Sequence, residues 1–405
     1  MPDPPTPLIT RRDFLATAAA ASSATILKPS LVFGSQANSR IEVGIVGLGS
    51  RGSLIADLLA AHDGYQIVAL ADYFPDVANK AGERLKIPPS RRFSGLHGYR
   101  KLIESKVDAV FLEAPPYCFP EQAAAAVDAG CHVYMAKPVA IDVPGSLKIA
   151  ECGRNASARK RVFLVDFQMR TDPFNREVVR RCHEGLIGDM ALLSSFYCSE
   201  GFSDPALTAT IESRLQNLVW TNDIALGGGH FVNAGIHAID AALWIANELP
   251  VSAQGCTRIT RKNPHGDSPD TDSLTYRFKS GLVLNHRGEH IRNTHEFVCS
   301  CSAYGLEGYL ETNYDGKAFV RGNRGGYPGG VVQDLYVDGI KRNLEYFRSN
   351  VIEGSYDNPT VMQGVNSTLA SILGREAGLR GDLLTWDQML TEGRKVEPDL
   401  SGLRQ

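Results

Sequence analysis

The run Ile41-Glu42-Val43-Gly44-Ile45-Val46-Gly47-Leu48-Gly49-Ser50-Arg51-Gly52 restricts this chain more than any other stretch. Ile41, Val43, Ile45 and Val46 read as a short buried strand, and the six residues from Gly47 fit G-x-G-x-x-G. Leu54, Ile55, Leu58 and Leu59 follow at helical spacing. Strand, glycine turn and helix in that order are the context in which this motif carries meaning. Gly47 suits the tight turn, Gly49 lets backbone approach a pyrophosphate, and Gly52 lets helix and strand pack closely. Leu48, Ser50 and Arg51 complete the turn, and the helix N-terminus behind it offers N–H groups and partial positive charge to phosphates. A second strand, Gln66 to Ala71, ends at Asp72, about 20 residues beyond the last glycine, where a ribose-binding acid belongs. A carboxylate there accepts hydrogen bonds from a free 2′-hydroxyl and repels a 2′-phosphate, so NAD is expected ahead of NADP.

The α/β alternation continues. Residues 75–85 and 121–129 read as helices, as does the stretch around 99–103, while 107–112, 132–135 and 162–165 read as strands. Such alternation builds a parallel sheet, and ligands bind beyond the C-terminal ends of its strands. Ala114 and Pro115 follow one strand end, and Ala136-Lys137-Pro138 follows the next, which aims Lys137 at the crevice of a nicotinamide. Past Asp172-Pro173, which caps a helix toward Cys182, the pattern changes. Strands are expected over 191–198, 271–279, 282–287, 296–302 and 309–313, with Ser280-Gly281 as a two-residue hairpin turn. The glycines of 322–330 read as a loop, and 334–349 and 362–374 as closing helices. The expected fold is α/β, a Rossmann domain (38–160) followed by a C-terminal α/β domain (161–405) with a large, mostly antiparallel open sheet. The open sheet face suits a dimer surface.

Ahead of both domains, Thr10-Arg11-Arg12-Asp13-Phe14-Leu15, an alanine-rich run to Leu27 and Ser35-Gln36-Ala37 have the make-up of a twin-arginine signal over 1–37. The expected location is therefore periplasmic or otherwise exported. A formal net charge of -3 gives no pull toward nucleic acid, and no later stretch is long and apolar enough for stable membrane insertion. The eight cysteines form no C-x-x-C pair and read mostly as small core residues.

A second constellation lies on a helix expected over 230–247, after Gly227-Gly228-Gly229. His230, Asn233, His237 and Asp240 fall at i, i+3, i+7 and i+10, within one narrow arc of an otherwise apolar helix. Buried without partners, each would cost roughly 1–3 kcal/mol, so either a hydroxyl-rich substrate or an internal polar ladder must satisfy them. The spacing is not that of a zinc site, and no metal is expected. Lys137 and His237 suggest a division of labour, in which the lysine stabilises charge on a reacting oxygen while a neutral imidazole takes its proton. Arg170, Tyr197 and His230 are candidates to contact the substrate.

The glycine loop, Ala136-Lys137-Pro138, and Gly227-Gly228-Gly229 followed by Asn233-Ala234-Gly235-Ile236-His237-Ala238-Ile239-Asp240 together resemble the Gfo/Idh/MocA oxidoreductases, from about Arg40 to Gly381. The resemblance implies a bound nicotinamide cofactor, sugar or cyclitol substrates, and an open sheet that mediates dimers or tetramers. Lys137 matches the lysine of the family's E-K-P motif, and His237 the histidine of its D-x-G-x-H motif. Ala136 replaces the glutamate of E-K-P, and Asn233 the aspartate of D-x-G-x-H. Ala114 and Phe119 replace the threonine and histidine of T-P-x-x-x-H. Three functions fit: an NAD(P)-dependent oxidoreductase acting on CH-OH groups with a tightly held cofactor, a redox-neutral NAD-dependent glycoside hydrolase or lyase, and a non-catalytic NAD-containing sugar-binding protein. The oxidoreductase is the leading expectation.

Overall fold

The structure, a computed structural model, describes residues 40–405 apart from 203, 205–210, 217–218, 263, 265 and 294. The twin-arginine stretch lies outside the described residues. Residues 40–405 form one compact unit built on two sheets.

The first sheet is six-stranded and parallel, in the order β3-β2-β1-β4-β5-β6, with β1 Ile41–Val46, β2 Tyr65–Asp72, β3 Arg92–Ser94, β4 Ala109–Leu112, β5 His132–Ala136 and β6 Phe163–Asp166. Both faces of such a sheet are covered by helices, which is why β4 and β6 are buried at every position. The boundary expected at residue 160 moves, because β6 completes this sheet. The strand order reverses between β1 and β4, and the helix α1 (Ser50–Ala60) starts beside that point. Such a switch point opens a crevice at the C-terminal strand ends.

The second sheet has nine strands in the order β14-β13-β12-β11-β7-β10-β9-β8-β15. Its strands are β7 Met190–Ser199, β8 Pro250–Arg258, β9 Thr271–Phe278, β10 Val283–His290, β11 Val298–Gly305, β12 Gly308–Asn313, β13 Gly316–Gly322, β14 Gly325–Val332 and β15 Leu384–Thr385. All pairs are antiparallel except β7 with β10. Burial alternates along β9 as its sequence requires. Two expectations are corrected. The 322–330 stretch is not a loop: β13 ends at Gly322 and β14 starts at Gly325. The β9–β10 turn is not two residues long, since Phe278 N donates to Leu282 O at 3.0 Å and leaves three residues between them, with Gly281 at φ +92°. That is the type of loop in which a glycine takes the left-handed position.

Two helices bind the sheets together. The helix α2 (Ile236–Ala246) is preceded by a π turn, Phe231–Gly235. The helix α3 (Pro359–Arg380) is buried along most of its length. Thr360 and Thr368 of α3 accept from Val165 N and Val139 N on the Rossmann side, at 3.1 and 3.2 Å. The Ala370 carbonyl of the same helix accepts from Tyr276 OH on β9 at 3.1 Å. All eight cysteines are free thiols, and only Cys256 is exposed.

Candidate active site

The glycine turn is built as its residue types demand. Gly47 has φ +89°, and a Cβ there would stand 2.6 Å from Ala114 N, so the turn lies directly against the end of β4. A Cβ on Gly52 would collide with the Gly47 carbonyl, whereas one on Gly49 would meet nothing within 4 Å. The first and third glycines are thus required by packing, and the second leaves free space where α1 begins. At the end of β2, Asp72 Oδ2 accepts from Leu48 N at 2.8 Å and Oδ1 accepts from Phe74 N at 2.9 Å. Burial raises its pKa, and the two N–H donors oppose that rise. A groove of about 400 Å³ runs between these groups, lined by Gly47 to Arg51, Asp72, Ala114 and Pro115, and also by Leu215, Gln216 and Trp220.

Beyond the groove the strand ends carry charge. Glu113 follows β4, Lys137 follows β5, and Asp166 ends β6. Arg51, in the first turn of α1, reaches across them. Its Nε lies 3.1 Å from Glu113 Oε2, and its Nη2 pairs with Asp166. Gln168 Nε2 and Asn343 Nδ2 also donate to Asp166, at 2.8 and 2.6 Å. Glu113 has no aligned hydrogen-bond donor on either oxygen, and burial pushes its carboxyl up to about 8 against the pull of Arg51. Lys137 is half-buried, and its Nζ donates to Asn233 O at 2.5 Å. Burial, helped by the Arg51 charge, brings the lysine down to about 7, with Asp166 and Glu113 opposing.

The Lys137–Asn233 bond joins the Rossmann crevice to the polar stripe, but the stripe differs from the single arc expected. A π turn, Phe231–Gly235, interrupts the regular α spacing between His230 and the helix that carries His237 and Asp240, so the four do not follow one α-helical arc. Asn233 contributes its backbone carbonyl here. His237 is 7% exposed, its Nδ1 has no hydrogen-bond partner, and its ring stands edge-on to Tyr314 and Phe167 at 5.1 and 6.1 Å. Burial and the charge of Lys137 lower its pKa well below the usual histidine value, leaving a neutral imidazole. Tyr314 OH donates to Gln168 Oε1 at 3.2 Å, which links the wall beside His237 to Asp166.

The remaining sequence candidates find protein partners. Arg170 and Asp240, expected at the substrate and in catalysis, meet each other instead, with Nε–Oδ2 and Nη2–Oδ1 both at 2.9 Å. Ser367 Oγ adds a bond of 2.7 Å, so Asp240 belongs to an internal ladder. His230 stacks on His290 with centroids 3.8 Å apart, and Tyr197 stands edge-on to His230 at 5.6 Å. Burial and the neighbouring His290 hold His230 well below its usual pKa, and burial raises that of Tyr197.

Residues 41–165 match the oxidoreductase family with an NAD-binding Rossmann fold, GFO/IDH/MocA, and residues 175–311 match the GFO/IDH/MocA C-terminal domain. The chain belongs to the GFO/IDH/MocA oxidoreductase family. It is 22% identical over 356 residues to an inositol 2-dehydrogenase of Rhizobium meliloti, covering 84% of this chain and 96% of that one. Over a shorter span, 166 residues, it is 29% identical to a glycosyl hydrolase family 109 protein of Phocaeicola vulgatus, which covers 39% of this chain and 30% of that one. Its fold is similar to that of an aldose-aldose oxidoreductase from Caulobacter crescentus, with a TM-score of 0.69 at 20% identity over 85% of this chain and 99% of the other.

The site fits the NAD of the family on its own geometry. The open side of Gly49, the doubly anchored Asp72 carboxylate and the Glu113 carboxyl, which lacks an aligned donor, all border the crevice that a dinucleotide requires. Glu113, Asp166, Gln168, Tyr314 and Asn343 were not singled out from sequence. Glu113 and Asp166 share the signal that marked Lys137, a polar residue directly after an apolar strand. Gln168 lies two residues beyond Asp166, whereas Tyr314 and Asn343 arrive from distant segments that no local pattern connects.

Proposed function

We propose that this chain oxidises a secondary hydroxyl of a cyclitol or sugar, with Lys137 and His237 at the reacting group. The observation that carries this reading is the Lys137–Asn233 contact of 2.5 Å, which holds the strand-end lysine against the turn that leads into His237. The likeness to an inositol 2-dehydrogenase over nearly its full length supports the substrate class.

NAD bound in the groove would supply the hydride acceptor. Asp72 and the glycine turn would hold its ribose and phosphates. His237 is neutral and buried, so it takes the hydroxyl proton without first having to lose one of its own. Lys137, brought down to about 7, still holds its proton in a large share of molecules at neutral pH and donates to the same oxygen as charge builds there. Arg51 keeps Asp166 paired behind that lysine. The test is turnover of purified protein with NAD and a panel of inositols and aldoses, read as nicotinamide absorbance. Reduction driven by a cyclitol or sugar is expected; no reduction with any member of the panel rejects the reading.

A second reading, redox-neutral cleavage of a glycoside, is favoured by the family 109 likeness and by Glu113. A carboxyl pushed up to about 8 holds a proton at neutral pH and would serve as the additional acid that elimination needs. Release of phenol from aryl glycosides over many turnovers, with no net change in nicotinamide, would establish it over the first. We also propose export through the Thr10-Arg11-Arg12 signal and self-association through the nine-stranded sheet, whose Val251, Tyr304 and Val331 are exposed. Secretion of the native chain but not of an Arg11→Lys, Arg12→Lys variant, and a dimer or tetramer mass in solution, are the corresponding results.

A further inference from the structure

Cys198 on β7 and Glu289 on β10 stand opposite each other in parallel register. The chain leaves β10 after His290 and returns His295 to the same place. A thiol sulfur, a carboxylate oxygen and an imidazole nitrogen from these three residues all lie within 4.8 Å of one another. The side chains of Tyr197 and Ser199, on either side of Cys198, both meet His230. Alternation along the strand therefore turns Cys198 to the opposite face of the sheet, away from the active-site crevice.

The histidine is held as a ligand would be. His295 Nδ1 lies 2.8 Å from the Glu296 carbonyl, a contact in which only the ring nitrogen can donate. Its proton is thereby fixed on Nδ1, and Nε2 carries the lone pair, the arrangement that backbone carbonyls impose on metal-bound imidazoles. Asn293 Oδ1 accepts from His295 N at 2.9 Å. Cys198 itself is 3% exposed, so its sulfur is shielded from bulk solvent.

We propose that Cys198, Glu289 and His295 form a binding site for a divalent cation of the zinc class, with water as the fourth ligand. Thiolate and carboxylate together neutralise a divalent ion, and a mixed sulfur, nitrogen and oxygen set suits zinc better than calcium or magnesium. Binding replaces the thiol proton, which passes to solvent, so affinity rises with pH. Arg287 competes for Glu289 at 2.5 Å, but its side chain is 56% exposed and such a pair is weak. The sequence conceals the set because its members come from two strands and a connection, at 198, 289 and 295, with no local spacing to mark them.

The ion would clamp the connection between β10 and β11 onto the sheet. That connection ends at Phe297, whose ring stands edge-on to Tyr197 and Tyr314 at 5.7 and 6.1 Å, and Tyr314 in turn packs on His237. The site would therefore steady one wall of the crevice without touching the reacting groups.

The experiment uses the full chain, stripped with a chelator and titrated with Co²⁺ and then Zn²⁺, and it needs no turnover. About one Co²⁺ per chain is expected, with a near-ultraviolet thiolate-to-cobalt band that Zn²⁺ removes. Cys198→Ser should abolish the band, while Cys256→Ser, at the exposed thiol, should keep it. His295→Ala alters an exposed side chain and should weaken Zn²⁺ binding at least about 100-fold, the upper end of what losing an outer-shell partner costs. If Cys198→Ser fails to fold, His295→Ala decides alone. Absence of bound metal in the wild type, or a band and affinity unchanged in His295→Ala, overturns the proposal.

Discussion

At the scale of single residues, Lys137 sets the pH behaviour. Its usual value of 10.5 falls to about 7 in the folded chain. Between these values the unfolded chain binds the extra proton, so the Lys137 contribution makes stability rise with pH over that window. Below about 7 both states are protonated, and the native state carries the full cost of a charge held beside Arg51. Lys137→Met should therefore stabilise the fold, most below pH 7 and hardly at all near 10.5, while kcat falls by about 10²–10³, the usual loss for a donor to a developing oxyanion. Chemical denaturation across pH together with steady-state rates checks both halves, and a variant that is less stable at pH 6 contradicts the first. In the wild type, kcat/KM for oxidation should fall as pH rises through about 7, when the lysine loses its proton. Asp72 sets cofactor choice. Asp72→Ser removes charge-assisted hydrogen bonds worth about 1.5–3 kcal/mol, so NAD affinity should drop roughly 10- to 100-fold while NADP loses much less. Equal losses for both would place the ribose away from Asp72.

At the scale of elements, the glycine turn separates packing from binding. Gly52→Ala forces a methyl into the Gly47 carbonyl and should lower the melting temperature even without cofactor. Gly49→Ala meets nothing in the protein, so its stability should stay within about 0.5 kcal/mol of wild type while NAD binding is lost. Thermal shifts with and without NAD distinguish the two, and a destabilised Gly49→Ala would mean that the free space is already used. This turn was legible because its rules are local: strand, glycines, helix and acid lie within one short stretch. The Rossmann strands were legible for the same reason. The edge strand β14 was not, since Gly329 and Gly330 mimic a loop. They are there for packing, because a Cβ on Gly329 would strike the Ala318 carbonyl and one on Gly330 the Phe174 ring. The stripe on α2 was half legible. Residue types pointed to a polar site, but uniform 3.6-residue spacing concealed the π turn that lies between His230 and His237 in the chain, and Arg170 is remote in sequence from the Asp240 it satisfies.

At the scale of the molecule, the two sheets share one core. Val110 and Val133 of the parallel sheet belong to the same buried cluster as Leu274 and Ala318 of the antiparallel one. The helix α3 passes between them and satisfies polar groups on both sides. Arg375 in that helix is 3% exposed, and its Nη1 donates to Ile141 O and Gly228 O at 3.0 Å each. Separating the sheets would expose this arginine together with its buried neighbour Glu376, 5% exposed, and would open the apolar surface of α3 on both sides. No partial state that keeps one sheet folded avoids that cost, so residues 40–405 should unfold in one calorimetric transition. NAD held in the groove would touch mainly residues at the ends of the parallel strands, yet at about 100 times its Kd it should add about 2.7 kcal/mol to the whole unit and move the single peak upward intact. Arg375→Met should lower that peak by leaving two carbonyls and Glu376 Oε1 without their donor, while Arg394 still serves Glu376 Oε2. A peak that splits on adding NAD, with only one component shifted, would show that the parallel sheet folds independently and that α3 is a clasp rather than a shared core.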